Sequence, residues 1–168
     1  MQEMSIKLNE IANKMEPVVA FRGEGVKDSG SANEQYVRKH GEFEQNSYSN
    51  LYGIKLLVIW QNIGYNIGDG YDSSNGKFTA PVDGIYFFHS HARTYGSSRA
   101  YIRFVVNNIY KTYSNREEDD GHDTLTATEQ FILNKGDTVY VYFYGKFWNP
   151  AHRDHAYFEG HLIRQINN

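Results

Sequence analysis

The stretch 60–88 reads Trp60-Gln61-Asn62-Ile63-Gly64-Tyr65-Asn66-Ile67-Gly68-Asp69-Gly70-Tyr71-Asp72-Ser73-Ser74-Asn75-Gly76-Lys77-Phe78-Thr79-Ala80-Pro81-Val82-Asp83-Gly84-Ile85-Tyr86-Phe87-Phe88. Aromatic and β-branched residues, which suit a pleated surface, are interrupted at short intervals by Gly, Asn, Asp and Pro. Asn75-Gly76 lies between two apolar runs, the strongest short-range hairpin signal, and predicts φ > 0 at both residues. Beyond Gly84 the side chains alternate as a strand requires. The stretch therefore decides for sheet over helix.

Working outward, the same pattern predicts strands over 18–22, 54–63, 77–80, 84–94, 100–106, 109–114, 124–133, 138–145 and 157–165. Turns fall at Tyr95-Gly96-Ser97-Ser98, Asn107-Asn108 and Asn134-Lys135-Gly136-Asp137, where Gly and Asn tolerate positive φ. Many short strands joined by such turns indicate a sandwich or a jelly roll.

The first sixteen residues differ. Met1, Met4, Leu8, Ile11 and Met15 recur at spacings of 3, 4, 3 and 4, an apolar seam flanked by Lys7, Glu10 and Lys14. Pro17 ends that pattern, since the residue before a proline is pushed out of the α region. Two heptads are too short to hold a helix alone in water. Residues 1–16 are thus read as a short coiled-coil helix, with a tail packed on its own domain as the alternative, and 17–168 as one globular domain.

Composition narrows the class. The chain has 168 residues, enough for one domain with a real core, and aromatics make up 15% of it, with 14 Tyr and 10 Phe. Its 3 Pro and 15 Gly exclude a collagen stalk within this stretch. A formal charge of −3 argues against a nucleic-acid partner, which calls for a basic face. With no cysteine, Cys-based catalysis, Cys-ligated zinc and disulfide exchange are excluded. No apolar run is long enough to span a membrane, and Met1-Gln2-Glu3-Met4 does not begin a signal peptide.

Four motifs in order resemble the globular-head family of complement component 1q. Trp60-Gln61, Asn66-x-Gly68-x-x-Tyr71, Gly76-Lys77-Phe78-Thr79, Pro81 and Gly84-x-Tyr86-x-Phe88 form the first. Ala20-Phe21 matches the family's opening strand, Leu133-x-x-Gly136-Asp137-x-Val139-x-Val141 a later one, and Phe158-x-Gly160-x-Leu162 the closing one. The resemblance implies an all-β jelly-roll sandwich of about ten antiparallel strands that assembles as a compact homotrimer, similar to tumour necrosis factor. It also implies secretion, with any signal peptide trimmed from this chain. The segment 23–53 departs from the family, being about twice the length the resemblance implies.

No catalytic signature is present: there is no Gly-x-Ser-x-Gly elbow, no phosphate-binding Gly-rich loop opening a helix and no His-Glu-x-x-His. The chain is expected to be no enzyme. His89 and His91 leave one strand on the same face, a spacing that suits an imidazole-bound metal, but Ile85 and Phe87 share that face, so both are read as core or subunit-interface groups. A His near position 91 also recurs in the resembled family. His152 and His155, with Asp154 between them, are a weaker metal candidate. Glu117-Glu118-Asp119-Asp120-Gly121-His122-Asp123 is the one acidic run, and the resemblance makes Asp120 and Asp123 candidate calcium ligands near a trimer apex, against the plainer reading of a solvated loop. No cofactor is required beyond that candidate calcium.

The remaining surface candidates pair aromatics with cations. Tyr95, Arg99, Tyr101 and Arg103 gather around one turn; Tyr144, Trp148, His152 and Arg153 around another. Sugars stack on aromatic faces, and an Arg fork pairs with carboxylates. Arg99, Arg153 and Trp148, with Tyr95 and Tyr101, are therefore the expected ligand-binding residues, while Tyr140, Tyr142 and Tyr144 read as buried or half-buried. The expected function is a secreted trimeric recognition module for glycans, microbial surface molecules or protein partners. The alternatives are a structural or calcium-binding matrix protein and a cytokine-like receptor ligand.

Overall fold

The computed structural model describes residues 17–26, 35–36, 56–57, 59–95, 100–116, 122–144, 146–148 and 155–166, together with Met4 and Ile6. The described strands are β1 (Ala20–Val26), β2 (Gln35–Tyr36), β3 (Leu56–Leu57), β4 (Trp60–Ile67), β5 (Tyr71–Asp72), β6 (Lys77–Thr79) and β7 (Gly84–Tyr95). They continue as β8 (Ala100–Val106), β9 (Ile109–Arg116), β10 (His122–Leu133), β11 (Thr138–Tyr144), β12 (Lys146–Phe147) and β13 (Ala156–Gln165). The larger sheet runs β2-β12-β7-β13-β1-β4 with β10 also on β7; the smaller runs β5-β6-β11-β8-β9 with β3 also on β11. This is the antiparallel jelly-roll sandwich. The expected helix over 1–16 lies outside the described residues except for Met4 and Ile6, both exposed.

Alternation builds the core. In β7 the even-numbered Tyr86, Phe88, Ser90 and Ala92 turn inward and are buried, while β8 contributes Ile102 and Phe104 and β11 contributes Val139, Val141 and Phe143. Phe21 sits among rings, with centroids 4.8 Å from Tyr71, 5.1 Å from Phe78 and 4.9 Å from Phe158. Such pairs add about 0.5–1.5 kcal/mol each beyond their buried area. That packing offsets two buried donors with no partner among the described residues, Trp60 Nε1 and the Tyr71 hydroxyl, whose ionisation burial disfavours most, with Asp72 adding to the effect. Gly160 lets β13 approach so closely that a Cβ there would lie 2.6 Å from a Phe88 ring atom and 2.8 Å from one of Phe21.

Two local readings are corrected by side chains. Asn75-Gly76 is not a two-residue turn with positive φ at both positions: of the pair, Gly76 alone has positive φ, at 74°. Residues 73–76 form a longer loop closed on the Asp72–Lys77 pair. Asp72 organises it, accepting from the Ser74 hydroxyl at 2.6 Å, the Ser74 N–H at 2.8 Å and Asn75 Nδ2 at 2.6 Å. The hairpin with positive φ at both central residues is Asn107-Asn108, at 49° and 65°.

The apolar run 54–63 is likewise two elements and not one: β3 pairs with β11 in the smaller sheet, and β4 with β1 in the larger. Tyr71–Asp72, for which no element was expected, is a strand. The Asn66-x-Gly68-x-x-Tyr71 motif explains it: Asn66 Nδ2 donates to Tyr71 O at 2.8 Å and its Oδ1 accepts the Tyr71 N–H at 3.1 Å. The intervening reversal needs positive φ at Gly68 (78°) and Asp69 (51°).

Candidate recognition surfaces

The strand register of the larger sheet lines its outward side chains into rows. One row runs Ile67, Ala20, His161, Phe87, Gln130; the next runs Tyr65, Arg22, Glu159, His89, Thr128; the third runs Glu24, Tyr157, His91, Thr126. Arg22 links the last two, donating from Nη1 to Glu159 Oε2 at 2.5 Å and from Nε to Glu24 Oε1 at 2.6 Å. His89 Nδ1 lies 3.2 Å from Glu159 Oε1. The Arg22 guanidinium stands 4.0 Å over the Tyr157 ring, and His91 lies nearly parallel to that ring at 5.0 Å.

Exposed ion pairs contribute about 1 kcal/mol or less, so these bonds act mainly by fixing the geometry of the cluster. Burial first, and then coulombic repulsion involving the neighbouring groups His89, Arg22, Arg93 and His155, holds the His91 pKa below its ordinary value. Tyr65, opposite Arg22, and Ile67, opposite Ala20, are exposed beside the cluster, and Ile63, Ile132 and Ile163 are exposed elsewhere on the larger sheet.

His89 and His91 are therefore not core groups, because the inward positions of β7 belong to Tyr86, Phe88, Ser90 and Ala92. They are half-buried on the face turned away from the core.

The smaller sheet turns outward a ribbon of rings. In register, Tyr144 faces Tyr101, Tyr142 faces Arg103, and Tyr140 faces Val105, which in turn faces Tyr110. Ring centroids of Tyr101 and Tyr144 lie 5.0 Å apart, Tyr110 and Tyr142 5.9 Å, and Tyr140 and Tyr142 5.5 Å. Arg103 lies 5.7 Å from the Tyr101 ring and 5.4 Å from that of Tyr110, while Lys77 Nζ stands 4.7 Å over Tyr140. Tyr140 is buried, and its hydroxyl donates to Asn108 Oδ1 at 2.9 Å, so the hairpin turn anchors the ribbon.

The residues expected from the sequence divide among these places. Tyr101 joins the ribbon. Trp148 and His155 come together around Arg93: the Trp148 N–H donates to Arg93 O at 2.8 Å, and His155 O accepts the Arg93 N–H at 2.9 Å. His155 Nε2 lies 3.4 Å from Arg93 Nη1. Tyr95 ends β7, its backbone paired with His122. Asp123 is exposed, and its Oδ1 accepts the Thr124 N–H at 2.6 Å. Arg99, Asp120, His152 and Arg153 lie outside the described residues, as do most of 23–53.

Among the described residues no three His, Cys, Asp or Glu side chains gather as a metal cluster. Arg22, Tyr157 and Glu159 were not anticipated, nor was the ribbon as a unit. Alternation along each strand points to a common outward face, but not to which strands stand side by side.

Comparison with known proteins agrees with this architecture. The C1q domain family model matches residues 42–163, and the chain belongs to that family. Complement C1q tumor necrosis factor-related protein 2 of Mus musculus is 29% identical over 114 residues, covering 65% of this chain and 38% of that protein. The related protein 3 of Mus musculus is 28% identical over 109 residues, covering 63% and 44%. The chain thus spans less than half the length of these curated relatives. Among solved structures, the globular domain of zebrafish complement 1qA superposes with a TM-score of 0.58 at 16% identity, over 90% of this chain and 100% of that one. Murine APRIL at pH 5.0 superposes with a TM-score of 0.58 at 10% identity, over 87% and 99%. No helix among the described residues is long and apolar enough to cross a membrane.

Proposed function

We propose that this chain is the head of a secreted, non-catalytic homotrimer that recognises ligands outside the cell. The observation that carries the reading is the outer face of the larger sheet. There an ordered Arg22–Glu159–Tyr157–His91 cluster adjoins exposed Tyr65 and Ile67. Exposed apolar side chains beside a pre-ordered polar cluster suit cover by another protein surface, and a copy of the same chain is the partner favoured by membership of the C1q domain family. Ligands, whether glycans, microbial surface molecules or proteins, are assigned to the turns that carry Tyr95, Arg99, Trp148 and Arg153. Three copies turn a weak site into useful avidity.

Sedimentation at micromolar concentration tests the assembly: a trimer is expected, and a monomer overturns the reading. A glycan array, read in millimolar calcium and in chelator, tests the ligand. Binding to acidic glycans that falls in Arg153→Ala supports glycan recognition. An array blank under both conditions moves the reading to a protein receptor.

A further inference from the structure

We propose that Asn75 is a site of self-modification, losing its side-chain amide to attack by the Gly76 nitrogen, and that Asp72 is the latch that holds the folded chain back from it. The proposal stands apart from the recognition reading above. Asn75-Gly76 is the one Asn-Gly pair in the chain. Glycine has no Cβ to crowd its own nitrogen, so this pair closes a five-membered ring more readily than any other pair that begins with Asn.

In the reaction a bond forms from the Gly76 nitrogen to Asn75 Cγ, and the bond from Cγ to Nδ2 breaks. The Gly76 proton is lost to solvent, while the departing Nδ2 takes one up and leaves as ammonia. A cyclic imide remains. Water then adds to either carbonyl of the imide and reopens the ring, as aspartate or, with the main chain rerouted through the side chain, as isoaspartate. Water is the only co-reactant, and nothing is oxidised or reduced.

The loop engages all three reacting groups. Gly76 is buried, and its N–H, the nucleophile, donates to Asp72 O at 2.9 Å. Asn75 Nδ2, the leaving group, donates to Asp72 Oδ2 at 2.6 Å. Asn75 Oδ1, on the carbon to be attacked, accepts the Lys77 N–H at 3.0 Å. Two of the three partners belong to Asp72, one on its main chain and one on its side chain. A nitrogen and an amide tied to one residue cannot turn towards each other, so attack waits until the loop opens. The Ser74 hydroxyl first, and then the Ser74 N–H, hold the Asp72 carboxyl below its ordinary value. The latch is therefore an anion, and still accepts, at the neutral and alkaline pH where amides are lost fastest. Asn75 itself is exposed, so water reaches it once the loop opens.

The change is one-way. Position 75 then carries a carboxylate, which cannot donate to Asp72 Oδ2 and meets it as a like charge. Isoaspartate also adds one carbon to the main chain of the loop that closes on the Asp72–Lys77 pair. The strands joined there seat Tyr71 and Phe78 against Phe21, with ring centroids at 4.8 Å and 5.1 Å. The modified chain should keep its fold and melt lower, a mark that accumulates with the age of the protein.

The test is incubation of the intact chain in mildly alkaline buffer, folded and again unfolded in urea. Mass spectrometry of the peptide that carries Asn75 follows loss of the amide, and chromatography separates the aspartate and isoaspartate forms. The folded parent should lose the amide about fivefold or more slowly than the unfolded chain, and folded Asp72→Ala should recover most of that difference. A measurement on the parent alone guards against a variant that merely unfolds. In urea below the unfolding transition, hydrogen exchange at the Gly76 N–H and amide loss at Asn75 should rise together. Asn75→Asp should melt lower than the parent at neutral pH. Equal rates in the folded and unfolded parent, or exchange that rises without amide loss, overturn the latch. An amide that persists in the unfolded chain overturns the site itself. A melting curve of Asn75→Asp that overlays the parent's overturns the one-way consequence.

Discussion

The outward side chains of the larger sheet are tied to one another by charge: Arg22 holds Glu24 and Glu159, Glu159 meets His89, and Tyr157 carries Arg22 and His91 on its ring. On the smaller sheet the outward side chains touch ring to ring, and the cations among them, Lys77 and Arg103, meet tyrosines. Acids and bases that satisfy each other across strands leave a face of balanced charge, suited to being covered. Cations set among rings leave a stackable, aromatic face. The contrast arises within one fold from a few positions, since both sheets obey the same alternation and share one core.

The largest expected effect lies in that shared core. In Gly160→Ala the added methyl would press on Phe88 and Phe21, rings packed within the aromatic cluster and unable to retreat. Overpacking of this kind costs about 1–3 kcal/mol, and the two-sided clash points to the upper end. Denaturant unfolding should show a lower midpoint with an unchanged slope, and both outer faces should fail together. A midpoint equal to that of the parent would mean that β13 stands further from Phe88 and Phe21 than the 2.6 Å and 2.8 Å approaches at Gly160 imply.

Next comes a substitution meant to separate the faces. Tyr157→Ala removes the ring that Arg22 and His91 stack on, and should raise the trimer dissociation constant at least tenfold by sedimentation. Tyr142→Ala, the corresponding truncation on the smaller sheet, should leave assembly unchanged. If both variants dissociate alike, the division of labour between the sheets is wrong.

What the sequence made legible follows from which forces are local. The strands at 84–94 and 138–145 were readable because inward and outward residues alternate over many positions. The break between β3 and β4 was not readable, because an unbroken apolar run says nothing about which sheet each half joins. The Asn75-Gly76 turn was misjudged because Asp72 competes for the backbone N–H groups that a two-residue turn would leave alone. The outer faces were readable only strand by strand. Arg22 and Glu159 are separated by 137 positions, and register alone brings them together. Thus Tyr101 and Arg103 could be singled out as a pair on one strand, while their neighbours Tyr110 and Tyr142 came from elsewhere in the chain.

The smallest effect concerns acid, and it bears on the larger sheet's face alone. His91 is held below its ordinary value of 6.5, first by burial and then by His89, Arg22, Arg93 and His155. The groups facing it from other strands are Glu24 and Arg22 on β1, Tyr157 and Glu159 on β13 and Thr126 on β10. Glu24 and Glu159 are engaged by Arg22, so they do little to offset a new positive charge.

Because the folded value lies below the unfolded one, the unfolded chain binds this proton more readily. The contribution of His91 is therefore complete above about 6.5, is lost as pH falls from there through the folded value, and changes no further below it. Asp72, held below 3.8 first by the Ser74 hydroxyl, loses its own contribution only in much stronger acid, so the two windows separate. With His91 only half-buried, solvent screening keeps the change small, on the order of a few degrees in melting temperature between pH 7 and pH 5. The parent should melt lower at pH 5, His91→Asn should flatten that decline, and Tyr142→Ala should keep it. A decline that persists unchanged in His91→Asn would place the acid sensitivity outside the Tyr157 cluster.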